Sequence, residues 1–188
     1  MALYFPTTLN DALEILRTPD CSIVSGGTDY FPALKRGQGN TVVLSLTKVP
    51  ELHGLTTAQH GVRFGAGLTW SQMIKADLPP AFNALKLAGK EVGSIQIQNT
   101  ATLAGNLCNA SPAADGVPAL LALNSEVELQ SAARGTRQIT LKDFLKGVRQ
   151  TDRKSDEILT SIFVPHPPKD MRSVFSKLGS RSYLVISI

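Results

Sequence analysis

Two glycine-containing segments carry residue types that suit the binding of an anionic ligand. In the first, Gly26-Gly27-Thr28-Asp29 follows a short apolar run and precedes a short helical pattern. Glycines accept the backbone angles of a tight turn and let N–H groups approach an anion, and a following helix adds positive potential. That arrangement suits a phosphate or pyrophosphate. Taken alone, the motif fits better with a tight turn in which Thr28 or Asp29 caps the helix.

The second segment is Thr102-Leu103-Ala104-Gly105-Asn106, within a longer stretch rich in Asn, Thr, Gly and Ser. Gly105 and Asn106 can present backbone donors, and Asp115, near a helix start, can accept from ribose hydroxyls. A solvated polar loop is the plain alternative. Two separate glycine turns would supply donors to the two phosphates of one dinucleotide, and this pairing favours the functional interpretation.

Composition excludes several other function classes. Lys and Arg number 19 against 15 Asp and Glu in 188 residues, a net charge of +4 without a long basic block, so nucleic acid is not an expected partner. The two cysteines cannot form a four-thiolate metal site, so a metal centre would have to lie on a partner chain. No stretch reaches the roughly 18 apolar residues of a membrane span, which favours a cytoplasmic protein with reduced thiols. The third glycine of a Rossmann fingerprint is absent after Gly65 and Gly67.

The elements that must position the two segments follow from periodicity and from turn and cap signals. Thr8, Thr69 and Thr140 are predicted helix caps. Predicted helices cover approximately residues 9–16, 30–37, 69–76, 82–93, 113–123 and 141–145. Predicted strands cover residues 21–24, 42–46, 54–57, 62–66, 126–130, 138–140, 158–164 and 173–178, and the final apolar run 184–188 is also strand-like.

The order of these elements favours one fold class. Residues 93–111 are predicted to be mostly loop, and the helix at 113–123 is predicted to begin after a Ser111 cap and Pro112. Helices and strands alternate irregularly, which favours an α+β fold over a regular doubly wound sheet.

Five stretches of the chain resemble a known family. They are residues 24–29, 97–99, 102–115, 156–159 and 175–177. Together they are similar to the FAD-binding medium subunit of the molybdenum hydroxylases, the relatives of xanthine dehydrogenase and aerobic carbon monoxide dehydrogenase. The likeness runs through nearly the whole chain, and the stretch 102–115 is the most specific part of it.

This resemblance implies a two-lobed α+β FAD-binding domain, of the type found in molybdopterin dehydrogenases (PCMH-like). The domain would cover residues 1–178, with lobes of about 1–55 and 56–178, and residues 179–188 would begin a truncated C-terminal domain. The expected FAD contacts are Ile23, Val24, Ser25, Gly26, Gly27, Thr28, Asp29 and Tyr30, then Thr102, Leu103, Ala104, Gly105 and Asn106, and finally Asp115, Leu159 and Lys177. Leu159 would pack near the flavin ring, and Lys177 would place a cation close to it.

The function that the resemblance implies is electron transfer within a heteromeric oxidoreductase. A molybdopterin-binding large subunit and an iron–sulfur small subunit would be the partners, and FAD would pass electrons to NAD, oxygen or another acceptor. No catalytic residue or metal ligand is expected on this chain. Ala101 and Ala104 stand where relatives commonly have glycine. Two alternatives therefore stay open: a flavin-free assembly subunit of such a complex, and a stand-alone flavin oxidoreductase.

Overall fold

The computed structural model describes residues 2–34 and 42–178 of the chain, and these residues form an α+β fold. The strands are β1 (Ala2–Tyr4), β2 (Cys21–Val24), β3 (Val42–Ser45), β4 (Leu55–Ala58), β5 (Gly61–Gly65), β6 (Glu126–Ser131), β7 (Gly135–Thr140), β8 (Leu145–Gly147), β9 (Gln150–Thr151) and β10 (Ile158–Pro165). The helices are α1 (Leu9–Leu16), α2 (Tyr30–Leu34), α3 (Trp70–Lys75), α4 (Asn83–Glu91), α5 (Ile95–Gln98), α6 (Leu103–Asn109), α7 (Gly116–Ala122) and α8 (Leu141–Phe144).

The first sheet is parallel and has the order β1-β3-β2. Helix α1 connects β1 to β2, and the Thr8 hydroxyl caps it by accepting from the Asp11 N–H at 3.1 Å, as predicted. Leu13 and Leu16 of this helix are buried. Strand β2 lies at the edge of this sheet, and the glycine loop that follows it is partly buried from Ser25 to Thr28 and exposed at Asp29.

The second sheet has five antiparallel strands in the order β4-β5-β10-β6-β7. The strands predicted at residues 54–57 and 62–66 pair as the β4–β5 hairpin, and those predicted at 126–130 and 138–140 pair as the β6–β7 hairpin. Strand β10 lies at its centre and is buried from Ile158 to Ser161, and its pairing with β6 is irregular between Leu159 and Ser161. This irregularity falls beside Leu159, one of the residues expected at the flavin.

One hydrophobic core joins the two sheets, because Leu44 of β3, Phe64 of β5 and Ile162 of β10 all belong to the same buried cluster. Trp70 is 1% exposed at the start of α3, where Thr69 and Gln72 form the predicted capping box. A core shared by both sheets holds their relative positions and therefore the space between them.

Three predicted elements are wrong. Residues 93–111 contain α5 and α6 rather than a loop, because Thr102 caps α6 and Leu103 and Leu107 are fully buried against the core. Helix α7 begins at Gly116, since the Ser111 hydroxyl accepts from the Ala113 N–H in a local turn. Residues 173–178 form no strand: they run beside α4 without a neighbouring strand.

Two predictions fall outside the described residues. These are the end of the second predicted helix, residues 35–37, and the apolar run 184–188. Within residues 2–34 and 42–178, no helix is both long enough and apolar enough to cross a bilayer.

An ion-pair cluster anchors the loop that leads into β10. Glu157 has a side chain 2% exposed, and its carboxylate accepts from Arg137 Nε at 2.7 Å and Nη2 at 2.8 Å. The Lys154 N–H donates to it at 2.8 Å. Burial acts to raise the pKa of Glu157, but these hydrogen bonds outweigh it, so the pKa lies below its ordinary value. Because Ile158 and Leu159 follow directly, this cluster fixes where β10 begins.

Replacing Glu157 with Gln should lower the free energy of unfolding at pH 7 by between about 2 and 3 kcal/mol, because Arg137 loses a buried partner. The pKa of Glu157 is depressed in the folded state, so its stabilising effect is present above the unfolded pKa of about 4.3 and is lost as the pH falls through the folded value. Urea unfolding at pH 7 and in acid measures both effects. Glu14→Gln is the matched control, because its ion pair with Arg17 is exposed. Equal losses in the two variants would contradict the assignment.

Candidate functional site

A cleft of about 960 Å³ lies between the two sheets. It is lined by the loop 25–29 after β2, by α2, by the start of α6 and by the beginning of β10. Its volume is at the upper end of the range of about 300 to 1,000 Å³ that is usual for small-molecule sites. The space therefore suits a ligand of dinucleotide size.

The glycine loop forms one wall of the cleft. A Cβ on Gly26 would lie 2.1 Å from the Thr100 carbonyl oxygen, so the loop backbone touches the segment that leads into α6. Gly27 has φ +69°, a conformation that favours glycine. Among the described residues, no backbone N–H from residues 25–29 donates to another protein group. The loop thus presents unpaired donors of the kind that bind phosphate oxygens.

Helix α6 and the residues before it form the facing wall. Thr102 caps the helix by accepting from the Gly105 N–H at 3.0 Å. Ala101 and Ala104 also line the cleft, and both are nearly buried. Neither alanine has a positive φ, so neither methyl strains the backbone.

Thirteen of the sixteen residues expected at the cofactor line this one cleft. They are Ile23, Val24, Ser25, Gly26, Gly27, Thr28, Asp29, Tyr30, Thr102, Ala104, Gly105, Asn106 and Leu159. Leu103 points into the hydrophobic core instead and is fully buried.

Asp115 and Lys177 are not among the cleft-lining residues. They form an ion pair with each other, in which Lys177 Nζ lies 2.8 Å from Asp115 Oδ1 and the side chains are 13% and 12% exposed. Lys177 also borders a second cavity of about 240 Å³ with Leu87 and Phe175. The positive charge expected beside the flavin is therefore compensated by Asp115.

The residues that sequence reasoning missed include the two cysteines and the two arginines that line the cleft: Cys21, Cys108, Arg149 and Arg153. The density of basic residues at 149–154 was the available signal for the arginines, but its placement depends on the β8–β9 hairpin. Both cysteines are partly buried and line the cleft.

Buried polar atoms without a protein partner gather at the cleft. Within the described part of the chain, four side-chain atoms of this kind occur, and three belong to cleft residues: Tyr30 Oη, Trp70 Nε1 and Asn106 Oδ1. Buried polar groups are normally hydrogen-bonded, so such atoms point to a ligand or to ordered water. They offer both donors and an acceptor.

Residues 1–167 match the family described as the FAD binding domain in molybdopterin dehydrogenase. The chain belongs to this family.

Relatives of this FAD-binding family with curated names include the nicotinate dehydrogenase FAD-subunit of Eubacterium barkeri, which is 34% identical over 98% of this chain and 65% of its own length. The nicotine 6-hydroxylase medium subunit of Paenarthrobacter nicotinovorans is 33% identical over 87% of this chain and 58% of its own length. The chain thus spans less than two thirds of these relatives.

Solved structures show the same fold. A carbon monoxide dehydrogenase chain from Hydrogenophaga pseudoflava has a TM-score of 0.88 at 21% identity, covering 97% of this chain and 64% of its own length. A chain of quinoline 2-oxidoreductase from Pseudomonas putida 86 has a TM-score of 0.81 at 24% identity, with 89% and 59% covered. The α+β fold described above is the fold of this FAD-binding family.

The cleft residues fit FAD, the cofactor of the family. Loop 25–29 offers unpaired N–H groups for a diphosphate, and Tyr30, Trp70 and Asn106 offer side-chain donors and an acceptor for ribityl, ribose or ring atoms. In the described residues, no group of three or more His, Cys, Asp or Glu side chains is placed to hold a metal ion.

Gly105→Ala tests the facing wall without disturbing the core. A Cβ at Gly105 would lie 3.0 Å from the Thr102 hydroxyl, which caps α6 and would have to shift by a few tenths of an ångström. Because alanine favours a helix over glycine, this cost is offset and the melting temperature should change little. The added methyl lies at the cleft surface and should weaken FAD binding at least tenfold. Gly26→Ala should instead lower the melting temperature, since its Cβ meets backbone at 2.1 Å. Fluorescence titration and thermal unfolding separate the two, and unchanged FAD affinity in Gly105→Ala would contradict this placement.

Thiol labelling checks the cleft independently. Burial raises the pKa of Cys108 to about 11, while the charge of Arg153 acts in the opposite direction. The thiol therefore stays protonated at neutral pH, and its alkylation should accelerate up to about pH 11. FAD should protect Cys108 and Cys21 from alkylation, as read by mass spectrometry. Equal labelling of both cysteines with and without FAD would argue against their position in the cleft.

Proposed function

We propose that the chain is the FAD-binding electron-transfer part of a molybdenum-hydroxylase-type oxidoreductase. The observation that carries the proposal is the cleft that the glycine loop 25–29 and the start of α6 form together, in which the loop N–H groups have no partner among the described residues. When bound, FAD would accept electrons from iron–sulfur clusters of a partner subunit and pass them to NAD, oxygen or another acceptor. The organic substrate would be oxidised on a molybdopterin-bearing partner.

The residues of the chain would then bind and orient the cofactor rather than transfer protons. Loop 25–29 would hold the diphosphate, with the Thr102-capped start of α6 on the opposite side. Leu159, nearly buried at the start of β10, would exclude water from the ring system. We also propose that residues 1–178 form the FAD-binding domain, with lobes near 1–55 and 56–178. The sheets support this division, since one uses residues 2–45 and the other residues 55–165.

A flavin-free assembly subunit is the second candidate, because Ala101 and Ala104 add methyl groups to the cleft wall. Neither alanine has a positive φ, so neither position requires glycine. This favours the interpretation that the chain binds FAD. A cytoplasmic location stays a prediction, as does turnover of a small substrate by the chain alone.

FAD binding by the purified chain tests the proposal. After incubation with FAD and gel filtration, the protein should carry about one flavin per chain, as measured by visible absorption and by release on denaturation, because one cleft of sufficient size is present. A folded protein that retains no FAD would contradict the proposal, and restored binding in Ala104→Gly would then support the assembly subunit. Flavin reduction by a small substrate without partners would favour the stand-alone enzyme.

A further inference from the structure

The charged residues that line the cleft are unevenly distributed. They are Asp29 in the glycine loop, and Arg149 and Arg153 near the C-terminal end of α6. Two positive charges therefore lie at one end of the cleft, whereas the remaining charged residue among those that line it, Asp29, is negative.

The acidic residues near these arginines are already paired with other cations. Asp152 Oδ2 lies 2.8 Å from Arg137 Nη1, and Asp156 Oδ1 lies 2.5 Å from Arg134 Nη2. Glu157 is held by Arg137. Within residues 2–34 and 42–178, no carboxylate oxygen lies within the 4.0 Å of a salt bridge to Arg149 or Arg153. No carboxylate of the described residues therefore neutralises either charge.

Neutral main-chain and amide groups hold both guanidinium groups in place. The Arg149 N–H donates to the Ala110 carbonyl at 2.8 Å, and its Nη1 donates to the Asn109 side-chain oxygen. Arg153 Nη1 donates to the Glu157 carbonyl at 2.8 Å. Nη1 of Arg149 binds Asn109 at the end of α6, but a guanidinium has five N–H donors, and this contact uses only Nη1. Nε and Nη2 of both arginines donate to no described protein group.

Backbone strain occurs at the same place. Arg149 has φ +57° and Ala110 has φ +43°, and the two residues are joined by the hydrogen bond above. This conformation is unfavourable for residues other than glycine, and such residues cluster at ligand sites. The turn of the β8–β9 hairpin is thereby fixed against the end of α6.

This cationic end is separate from the glycine loop. Helix α6 has seven residues, and a rise of about 1.5 Å per residue gives a length of about 10 Å between the end near Gly26 and the end near Arg149. Both ends open into the same cleft. Because an arginine side chain is several ångströms long, the arginines and the loop N–H groups can contact either one ligand or two.

We propose that Arg149 and Arg153 form a phosphate-binding position at the α6 C-terminal end of the cleft, which takes the phosphate of a nucleotide. A planar fork of donors matches phosphate oxygens bidentately, and of the two arginines Arg153 is partly buried whereas Arg149 is exposed. If FAD supplies this phosphate, the inference rests on the proposed function. The phosphate belongs either to the diphosphate of FAD or to a second nucleotide bound beside FAD.

The test uses the 188-residue chain and the variants Arg149→Met, Arg153→Met and Arg149→Lys. Lys142→Met is the matched control: it also removes one positive charge, but from the exposed face of α8, outside the cleft. FAD is titrated by calorimetry at low and moderate salt, and ADP is then titrated into protein saturated with FAD. Thermal unfolding of each variant confirms that it is folded.

If FAD supplies the phosphate, both methionine variants should bind FAD at least tenfold more weakly and with less dependence on salt, and Arg149→Lys should recover part of the loss. If a second nucleotide supplies it, FAD binding should be unchanged and ADP binding to the FAD-saturated protein should weaken at least tenfold. FAD and ADP affinities within twofold of wild type in both methionine variants would overturn the inference. A wild-type chain that binds no FAD contradicts the proposed function alone, because ADP titration of wild type and variants still decides whether the arginines bind phosphate.

Discussion

The contact between Gly26 and the Thr100 carbonyl is the constraint on which the cleft depends. No side chain fits between these two backbones, and the loop after β2 therefore lies directly against the segment that enters α6. The loop belongs to the parallel sheet, whereas α6 packs with the antiparallel one. Their contact joins the two walls of the cleft, and the N–H groups of the loop have no protein partner among residues 2–34 and 42–178. A shared hydrophobic core can hold two sheets together, but this contact determines which polar groups face the space between them.

Local signals were sufficient for much of the fold. Thr8, Thr69 and Thr140 were predicted as caps because a cap is formed within four residues of the chain, and the two hairpins follow from turns that are equally local. Helix α6 was not predicted, because Gly105 and Asn106 are poor helix formers in isolation and the compensating burial of Leu103 and Leu107 comes from distant residues. For residues 173–178, the alternation of partly buried and exposed side chains is real, but a strand also requires a neighbouring strand.

The residues of the candidate site likewise fall into those that the sequence predicts and those that only the fold brings together. Its two glycine segments are visible in the sequence because their function requires particular residue types in continuous stretches. Arg149 and Arg153 were not predicted, since their position depends on a two-stranded hairpin and on neighbours that use up the nearby carboxylates. Asp115 and Lys177 illustrate the opposite case, in which residues are prominent in the sequence but bind each other in the fold. A charged side chain therefore indicates a ligand site only when its partners in the fold are known.

The segment after β10 shows that a family boundary and a physical boundary need not coincide. The family match ends at residue 167, yet the Ser173 hydroxyl donates to the Ala81 carbonyl at 2.6 Å and accepts from the Ala84 N–H at 2.8 Å. Lys177 then bonds Asp115 beside the start of α7. These contacts tie the segment to the starts of α4 and α7. A domain cut at the family boundary would therefore leave the Ala84 N–H and the Asp115 carboxylate without the partners that they have in the fold.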